Sequence, residues 1–176
     1  MGTGQVRVRP ATPADLGAVA GIFAFYVTSS VATFEGDPPG EAQWRQRRGE
    51  LAGRGLPFLV AEAGGTIAGY AYATPWRPKP AYRHTVEDSV YLDPGHGGRG
   101  LGRLLLDALL ARCAETGVRQ VIAVIADTGD PASVKLHRAC GLADAGRLKE
   151  VGDKHGRRID TVLMQRALTP AGTVPG

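Results

Sequence analysis

The most constraining stretch of this sequence is VYLDPGHGGRGLGRLLLDALL, residues 90–110. It places five glycines within the eight positions from Gly95 to Gly102, between an alternating segment and a segment with helical periodicity. Each glycine loses more conformational entropy on folding than other residues do, so five glycines exceed what a plain strand-to-helix connection needs. Unshielded backbone amides at the N-terminus of a helix bind phosphate groups well. Arg99 and Arg103 are placed to contact the outer phosphate oxygens.

The remainder of the chain predicts strands that alternate with helices in the order β-α-α-β-β-β-α-β-α-β-β. Helices are expected at 12–27, 41–51, after the glycines and at 130–140; strands are expected at 6–10, 57–73 (a hairpin across a Gly-Gly pair), 83–92, 119–127 and 143–168. The run RQVIAVIAD is continuously apolar and is expected to be buried on both faces. We therefore predict an α/β fold in one domain, 1–168, followed by a flexible tail, 169–176. Its mixed central sheet should have about seven strands, flanked by four helices.

Composition limits the classes of function. Apolar residues make up 43% and charged residues 22% of the 176 positions, which is typical of a soluble globular domain. The net charge of +4 comes from dispersed basic residues, which favours a small anionic ligand over nucleic acid. The sequence contains neither a signal peptide nor an apolar run of about 20 residues, so a cytoplasmic protein is expected. Cys113 and Cys140 are expected to be reduced thiols, and the histidine spacing implies no metal site.

Two well-known glycine motifs can be compared with this loop. A Walker A loop requires Gly-Lys-Ser/Thr at the start of its helix, and Leu101-Gly102-Arg103 follows Gly100 here, which excludes it. The spacing Gly95-x-Gly97-x-x-Gly100 does match the dinucleotide-binding fingerprint. That fingerprint should follow a buried parallel strand and precede an acidic residue about 20 positions later, whereas RHTVEDSVYL is alternating and charged. A nicotinamide or flavin enzyme therefore remains as an alternative.

A third motif fits better. The segment GGRGLG resembles the R/Q-x-x-G-x-G/A loop of the GNAT acetyltransferases, which binds the pyrophosphate of acetyl-CoA. The first position departs from that pattern, because Gly97 stands where Arg or Gln is usual, and Arg99 is expected to substitute for it. The second family signature, N-x-x-A/S-x-x-x-Y-x-x-x-G-F, is resembled by DPASVKLHRACGL, with Asp130 for Asn, Ser133 kept, His137 at the Tyr position and Leu142 for Phe.

The resemblance narrows to one branch of that family. The strand TVEDSVY is similar to the T-x-E-x-S-V-Y strand of the phosphinothricin and methionine sulfoximine acetyltransferases. The tail VGDKHGRRID resembles their V-G-x-K-x-G-x-W-x-D segment, with Arg158 where Trp is usual. The resemblance implies an acetyl-CoA-dependent enzyme that acetylates the α-amino group of a small amino acid or analogue, and a homodimer. A non-catalytic acyl-CoA-binding module is the second alternative.

The resemblance also implies roles for individual residues. Glu87 is expected to be the general base, acting directly or through a water, and Asp88 on the opposite face of the strand is its natural control. His137 is expected to donate a proton or to orient the substrate. The expected cofactor contacts are Val90, Tyr91 and Leu92 of the strand, Gly97, Gly98, Arg99, Gly100, Leu101, Gly102 and Arg103 of the loop, and Asp130 and Ser133 of the later helix.

A cation is needed to bind the carboxylate of an amino-acid substrate. Arg83, four residues before Glu87, is the first candidate, with Tyr82 beside it. Arg77 and Lys79 of the proline-rich loop are weaker candidates. The side chains of Trp76 and Phe34 are expected to form walls of the substrate pocket.

Overall fold

The computed structural model describes residues 6–169, which form one seven-stranded sheet with helices on both faces. The helices are α1 (Leu16–Ser29), α2 (Glu41–Gly53), α3 (Leu101–Glu115) and α4 (Ala132–Ala139). The strands are β1 (Arg7–Pro10), β2 (Phe58–Ala63), β3 (Thr66–Pro75), β4 (Thr85–Leu92), β5 (Gln120–Ala126), β6 (Ala143–Lys154) and β7 (Arg157–Ala167). Their spatial order is β1-β2-β3-β4-β5-β7-β6, which confirms the predicted mixed α/β sheet and the four flanking helices.

The join between β4 and β5 sets this sheet apart. Within residues 6–169 these two strands pair in parallel, while every other neighbouring pair is antiparallel. Their ladder is short: it begins at Thr85 with Gln120 and ends at Glu87 with Ile122. Beyond Glu87, β4 stays paired with β3 as far as Leu92, and β5 stays paired with β7 as far as Ala126. The two central strands therefore diverge into a V that opens in the middle of the sheet.

The two faces of the sheet bury different cores. The face under α1 and α2 is aromatic, because Phe23, Trp44 and Tyr70 pack there edge to face with centroid distances of 5 to 6 Å. The other face is aliphatic and packs against α3, whose Leu105 and Leu109 are fully buried. Since successive β-strand residues point to opposite faces, adjacent residues of β4 reach different layers of the protein.

Several local predictions are confirmed. The β2–β3 hairpin turns at Gly64 and Gly65, both with positive φ. A capping box is also present, because the Thr12 backbone N–H donates to Asp15 Oδ2 at 2.7 Å. A 3₁₀ turn at Pro13–Asp15 precedes α1, so the regular helix begins at Leu16, inside the predicted range 12–27. In α4, Pro131 is the N-cap residue, and the helix begins at Ala132.

The prediction for β5 was wrong. Its burial alternates, and Val124 keeps 38% of its surface exposed, so only one face is fully covered. The physical reason is that α1 and α2, the helices on the other side of the sheet, pack on β2, β3 and β4 and leave this face of β5 open. The apolar run therefore lines an opening instead of lying within a closed core.

Two further expectations concern the ends and surfaces of the chain. Within residues 6–169, the helices are all too short or too polar to cross a membrane. Cys113 and Cys140 are buried free thiols. Of the predicted flexible tail, residues 170–176 lie outside the described part of the chain.

Candidate active site

A cleft of about 560 Å³ occupies the V between β4 and β5, and we call it the central cleft. It is lined by residues from β4, the glycine loop, β5, α4 and the C-terminal end of α1. The following predicted site residues lie along it: Glu87, Val90, Tyr91, Leu92, Gly98, Gly100, Gly102, Arg103, Asp130, Ser133 and His137. Residues predicted on separate grounds, from the strand, the loop and the later helix, are thus brought to one opening.

The glycine loop has the backbone conformation that requires glycine. Gly98 and Gly100 have φ of +73° and +76°, a region that side-chain-bearing residues rarely adopt. Gly100 is also the N-cap of α3. A Cβ atom added at Gly97, Gly98 or Gly100 would meet no atom within 4 Å, so these positions border open space. The missing side chains therefore leave an open cradle in front of the helix.

Gly102 has a different role from the glycines before it. A Cβ there would lie 3.1 Å from a Leu136 methyl group, so the absence of a side chain lets α4 approach α3 closely. The close approach brings Ser133 and His137 of α4 to the edge of the central cleft. The glycine cluster thus serves both the cradle and the packing of the helix behind it.

The cradle has the chemical character of a binding site for an anionic group such as a phosphate. The first N–H groups of a helix have no partner inside it, and those of α3 open onto the cradle together with the positive end of its 15-residue dipole. Arg103 lines the cleft and lies 3.5 Å from Asp107, so its guanidinium is held by one exposed ion pair only. Arg99 is exposed and is not among the residues that line the cleft. Leu101 is buried, so its side chain belongs to the core and only its backbone can bind a ligand.

Glu87 lies at the apex of the V, where the parallel ladder ends. It is half-buried and points to the face that carries α1 and α2, as the alternation predicted. Burial raises the pKa of Glu87, the negative charge of Asp88 raises it further, and the positive charge of Arg77 lowers it. A carboxylate with a raised pKa in a cleft is well suited to accept a proton at neutral pH.

Asp88 and His137 form a buried pair on the opposite side of the same strand. His137 Nε2 lies 2.8 Å from Asp88 Oδ2, and the side chains are only 6% and 1% exposed. His137 Nδ1 donates to the Ser133 carbonyl at 2.7 Å. Burial opposes a charge on His137, but the Asp88 carboxylate and the Ser133 carbonyl outweigh it and raise the pKa of His137. Asp88 does point away from Glu87 as predicted, but its contact with His137 makes it unsuitable as a neutral control.

The predicted substrate residues lie outside the lining of the central cleft. Tyr82 and Arg83 are exposed, and Arg83 Nη1 donates to the Pro80 carbonyl at 3.4 Å. The Arg77 guanidinium lies 4.8 Å from the centroid of the Trp76 ring, and its positive charge lowers the pKa of Glu87. Of Arg77 and Arg83, Arg77 is therefore the arginine that acts on Glu87.

Phe34 belongs to the loop between α1 and α2, residues 30–40, which we call the α1–α2 loop. Its ring packs directly on the backbone of Gly152 in β6, so tightly that a Cβ at Gly152 would overlap it. Lys154 Nζ donates to the Thr33 carbonyl at 2.7 Å, 121 residues away in sequence. The β6–β7 hairpin therefore holds the α1–α2 loop in place, and the same loop contributes Ser30 and Ala32 to the cleft.

The sequence analysis missed several residues that line the cleft. Tyr26 of α1 reaches across and donates its hydroxyl to the Leu92 carbonyl at 2.6 Å. Ala123, Val124 and Ile125 form the β5 wall. The apolar sequence of β5 could have indicated a cleft wall, but the same pattern indicates a strand buried in the core equally well. No local pattern in α1 distinguishes Tyr26 from an ordinary surface tyrosine.

The sheet also bears on the dinucleotide alternative. A dinucleotide-binding fold requires several parallel strands around its glycine loop. Here the loop follows a strand whose ladder with β3 is antiparallel and whose parallel ladder covers three residue pairs. The G-x-G-x-x-G spacing is therefore a coincidence of the glycine-rich loop.

Comparison with known proteins agrees with this geometry. The family model described as "Acetyltransferase (GNAT) family" matches residues 19–142. The phosphinothricin N-acetyltransferase of Alcaligenes faecalis is 50% identical over 166 residues, which cover 94% of this chain and 84% of that protein. The L-methionine sulfoximine/L-methionine sulfone acetyltransferase of Pseudomonas aeruginosa is 37% identical over 172 residues, 97% of this chain and 99% of that protein.

A solved structure extends the comparison to three dimensions. The phosphinothricin acetyltransferase of Sinorhizobium meliloti, solved in complex with acetyl-CoA, superposes with a TM-score of 0.90 and 43% identity. The match covers 97% of this chain and 93% of that protein. The predicted family, enzyme class and acetyl donor are thereby confirmed. The chain belongs to the GNAT family of acetyltransferases.

Proposed function

We propose that this protein acetylates the α-amino group of a small amino acid or amino-acid analogue of the phosphinothricin and methionine sulfoximine class, with Glu87 as general base. The observation that carries the proposal is the position of Glu87 at the apex of the V, in a cleft whose other end is the glycine cradle. The names of the relatives support the class of acceptor.

The acceptor and the cofactor approach β4 from opposite faces. Glu87 points to the side of α1 and α2, and the cradle belongs to α3 on the other side. An acceptor that enters from the α1–α2 side thus meets Glu87, while the cofactor enters along α3. Bound acetyl-CoA supplies the acetyl group from its thioester, and the coenzyme leaves as a thiolate. Past Glu87 the β4 backbone has lost its β5 partner, so the amides of Val90 and Leu92, which point away from β3, are available to bind the cofactor.

The proton balance explains the need for a base. An amino acid at neutral pH carries an ammonium group with a pKa of about 8, which cannot attack until a proton leaves. Glu87 takes that proton, directly or through one water. Forming the amide releases a second proton, and the leaving thiolate takes up one, so each turnover releases one proton to solvent. The reaction needs no covalent enzyme intermediate, which is consistent with the burial of Cys113 and Cys140 outside the lining of the cleft.

The acceptor carboxylate requires a cation near Glu87. Arg77 is a better candidate than Arg83, because Arg77 influences the pKa of Glu87 and Arg83 contacts the Pro80 carbonyl. An arginine can bind a carboxylate through two parallel hydrogen bonds. The other predicted substrate residues, Tyr82, Trp76 and Phe34, retain that role as predictions.

The proposal is tested by a panel of acceptors in a coupled assay of coenzyme A thiol release. Phosphinothricin, methionine sulfoximine, methionine sulfone and ordinary amino acids present the same amine and carboxylate, so kcat/KM ranks the side chains. Analogues with the α-amine methylated twice or the carboxylate amidated serve as matched controls. Cofactor binding without thiol release for any acceptor would favour the alternative, a non-catalytic acyl-CoA-binding module.

The contact of Phe34 with Gly152 leads to a further prediction. Gly152→Ala should displace the Phe34 ring and the α1–α2 loop, since the added methyl overlaps the ring. We expect KM for the acceptor to rise about 3- to 10-fold, with KM for acetyl-CoA unchanged, because a shift of the pocket wall removes about 1 kcal/mol of packing. Gly36→Ala is the control, because it lies in the same loop with no atom within 4 Å of the added methyl. An equal rise in both KM values would contradict this role for the loop.

A homodimer and a cytoplasmic location are also part of the proposal. Leu148 and Val151 of β6 expose 47% and 57% of their surfaces, and β6 is the last strand of the described sheet. Exposed apolar residues on an edge strand favour association with another chain. Light scattering of the purified protein measures the mass directly.

A further inference from the structure

We propose that Asp88 is a positioning residue, whose carboxylate holds His137 in one orientation as a doubly protonated ring. The positive ring in turn neutralises the Asp88 carboxylate, so that no unpaired negative charge lies beside Glu87. The second half of this inference depends on the proposed role of Glu87 as base, whereas the first half does not.

The hydrogen bonds of His137 define its state. Its Nδ1 lies 2.7 Å from the Ser133 carbonyl, which can only accept, so Nδ1 carries a proton. Its Nε2 lies 2.8 Å from Asp88 Oδ2, and one further proton lies between these atoms. Both ring nitrogens thus contact the protein. His137 could donate a proton to a ligand only if the ring left one of these partners, so it serves better as a fixed positive charge than as a direct acid.

The surroundings of the pair place that shared proton on the histidine. The second oxygen, Asp88 Oδ1, is buried without a hydrogen-bond partner among the described residues. A buried carboxylate with an unpaired oxygen is costly unless a positive charge lies beside it. Asp88 also lies close enough to Glu87, on the far side of β4, and to the buried Cys113 thiol of α3 to raise the pKa of both groups. Neither of these groups is a cation, and β5 contributes apolar Val121, Ala123 and Ile125 to this layer. His137 is therefore the cation that compensates Asp88.

The pair also acts on Glu87, because Asp88 is its neighbour on the strand. The carboxylate of Asp88 raises the pKa of Glu87, and a positive His137 opposes that effect. Loss of His137 should leave an unpaired negative charge beside Glu87 and so raise the proton affinity of Glu87. Loss of Asp88 removes the negative charge and, because burial then favours the neutral ring, the positive charge of His137 as well, so the proton affinity of Glu87 should change little. A purely structural role for the pair would reduce stability in both variants without a shift that is confined to the loss of His137.

The experiment measures kcat/KM against pH for Asp88→Asn and His137→Gln. The acidic limb reports the ionisation of the base in the free enzyme. We expect it to move to higher pH by about 0.5 to 1 unit in His137→Gln, and to stay within about 0.3 unit of the wild-type limb in Asp88→Asn. Asp144→Asn is the matched control, because it removes an exposed carboxylate that pairs with Arg138, the neighbour of His137 in α4. This variant should leave the acidic limb unchanged. An unchanged limb in His137→Gln, or a limb that moves to higher pH in Asp88→Asn, would overturn the proposal.

A second measurement avoids variants that fold poorly. Nitrogen NMR of histidine-labelled wild-type protein should show protons on both His137 nitrogens at pH 7, with a pKa above the ordinary value of about 6.5. A neutral ring at that pH would overturn the proposal. This result is independent of Glu87: if Glu87→Gln remained active, the function as base would be lost while a doubly protonated His137 would still stand.

Discussion

Glu87→Gln is expected to lower kcat by about 10²- to 10⁴-fold, the usual contribution of a positioned general base. Glutamine keeps the size of the side chain at the apex of the V but cannot accept the proton of the ammonium group. Affinity for acetyl-CoA should be unchanged, because the cradle lies at the other end of the central cleft from Glu87. Stopped assays with the best acceptor of the panel, combined with titration calorimetry for the cofactor, measure both quantities.

The pH profile of the wild-type protein provides a companion test. Burial and Asp88 raise the pKa of Glu87, so its base form is lost as pH falls through a value above the ordinary carboxyl range. The acidic limb of kcat/KM should lie there and disappear in Glu87→Gln. Glu115→Gln, an exposed glutamate at the far end of α3, is the control. Full turnover in Glu87→Gln would remove Glu87 from the mechanism.

Gly100→Val is expected to weaken acetyl-CoA binding by about 10- to 100-fold, corresponding to the loss of one hydrogen bond to a charged phosphate. The valine side chain would project into the open space that the cradle leaves for the diphosphate. The positive φ of +76° adds strain, which would shift the loop further from its binding conformation. Calorimetry gives the dissociation constant, and thermal unfolding gives the loss of stability.

Backbone strain by itself could weaken binding through partial unfolding, so the control must carry the same strain. Gly117 meets this requirement, because it has φ of +82°, no atom within 4 Å of an added Cβ, and a position at the opposite end of α3. We expect Gly117→Val to lower the melting temperature about as much as Gly100→Val while leaving cofactor affinity intact. Equal affinities in the two variants would locate the diphosphate elsewhere.

Much of the site could be derived from local patterns. The alternation in TVEDSVYL placed Glu87 and Asp88 on opposite faces, and the structure confirms this because strand periodicity allows no other arrangement. The glycine loop before α3 was equally readable, since only glycine tolerates φ near +75° at Gly98 and Gly100 without cost. These features depend on a few neighbouring residues, so sequence determines them directly.

The remaining features depend on contacts between distant segments. Asp88 meets His137 across 49 residues, and Lys154 meets Thr33 across 121, and no local pattern predicts either contact. The exposed face of β5 likewise follows from the positions of α1 and α2, whereas a continuous apolar run indicates burial on both faces. Periodicity and turn chemistry thus determined the elements, the glycine cradle and the face that carries Glu87. The packing of α4, the hairpin and the splayed strands decided which partner each charge has, because burial and pairing arise only when segments far apart in sequence share one interior.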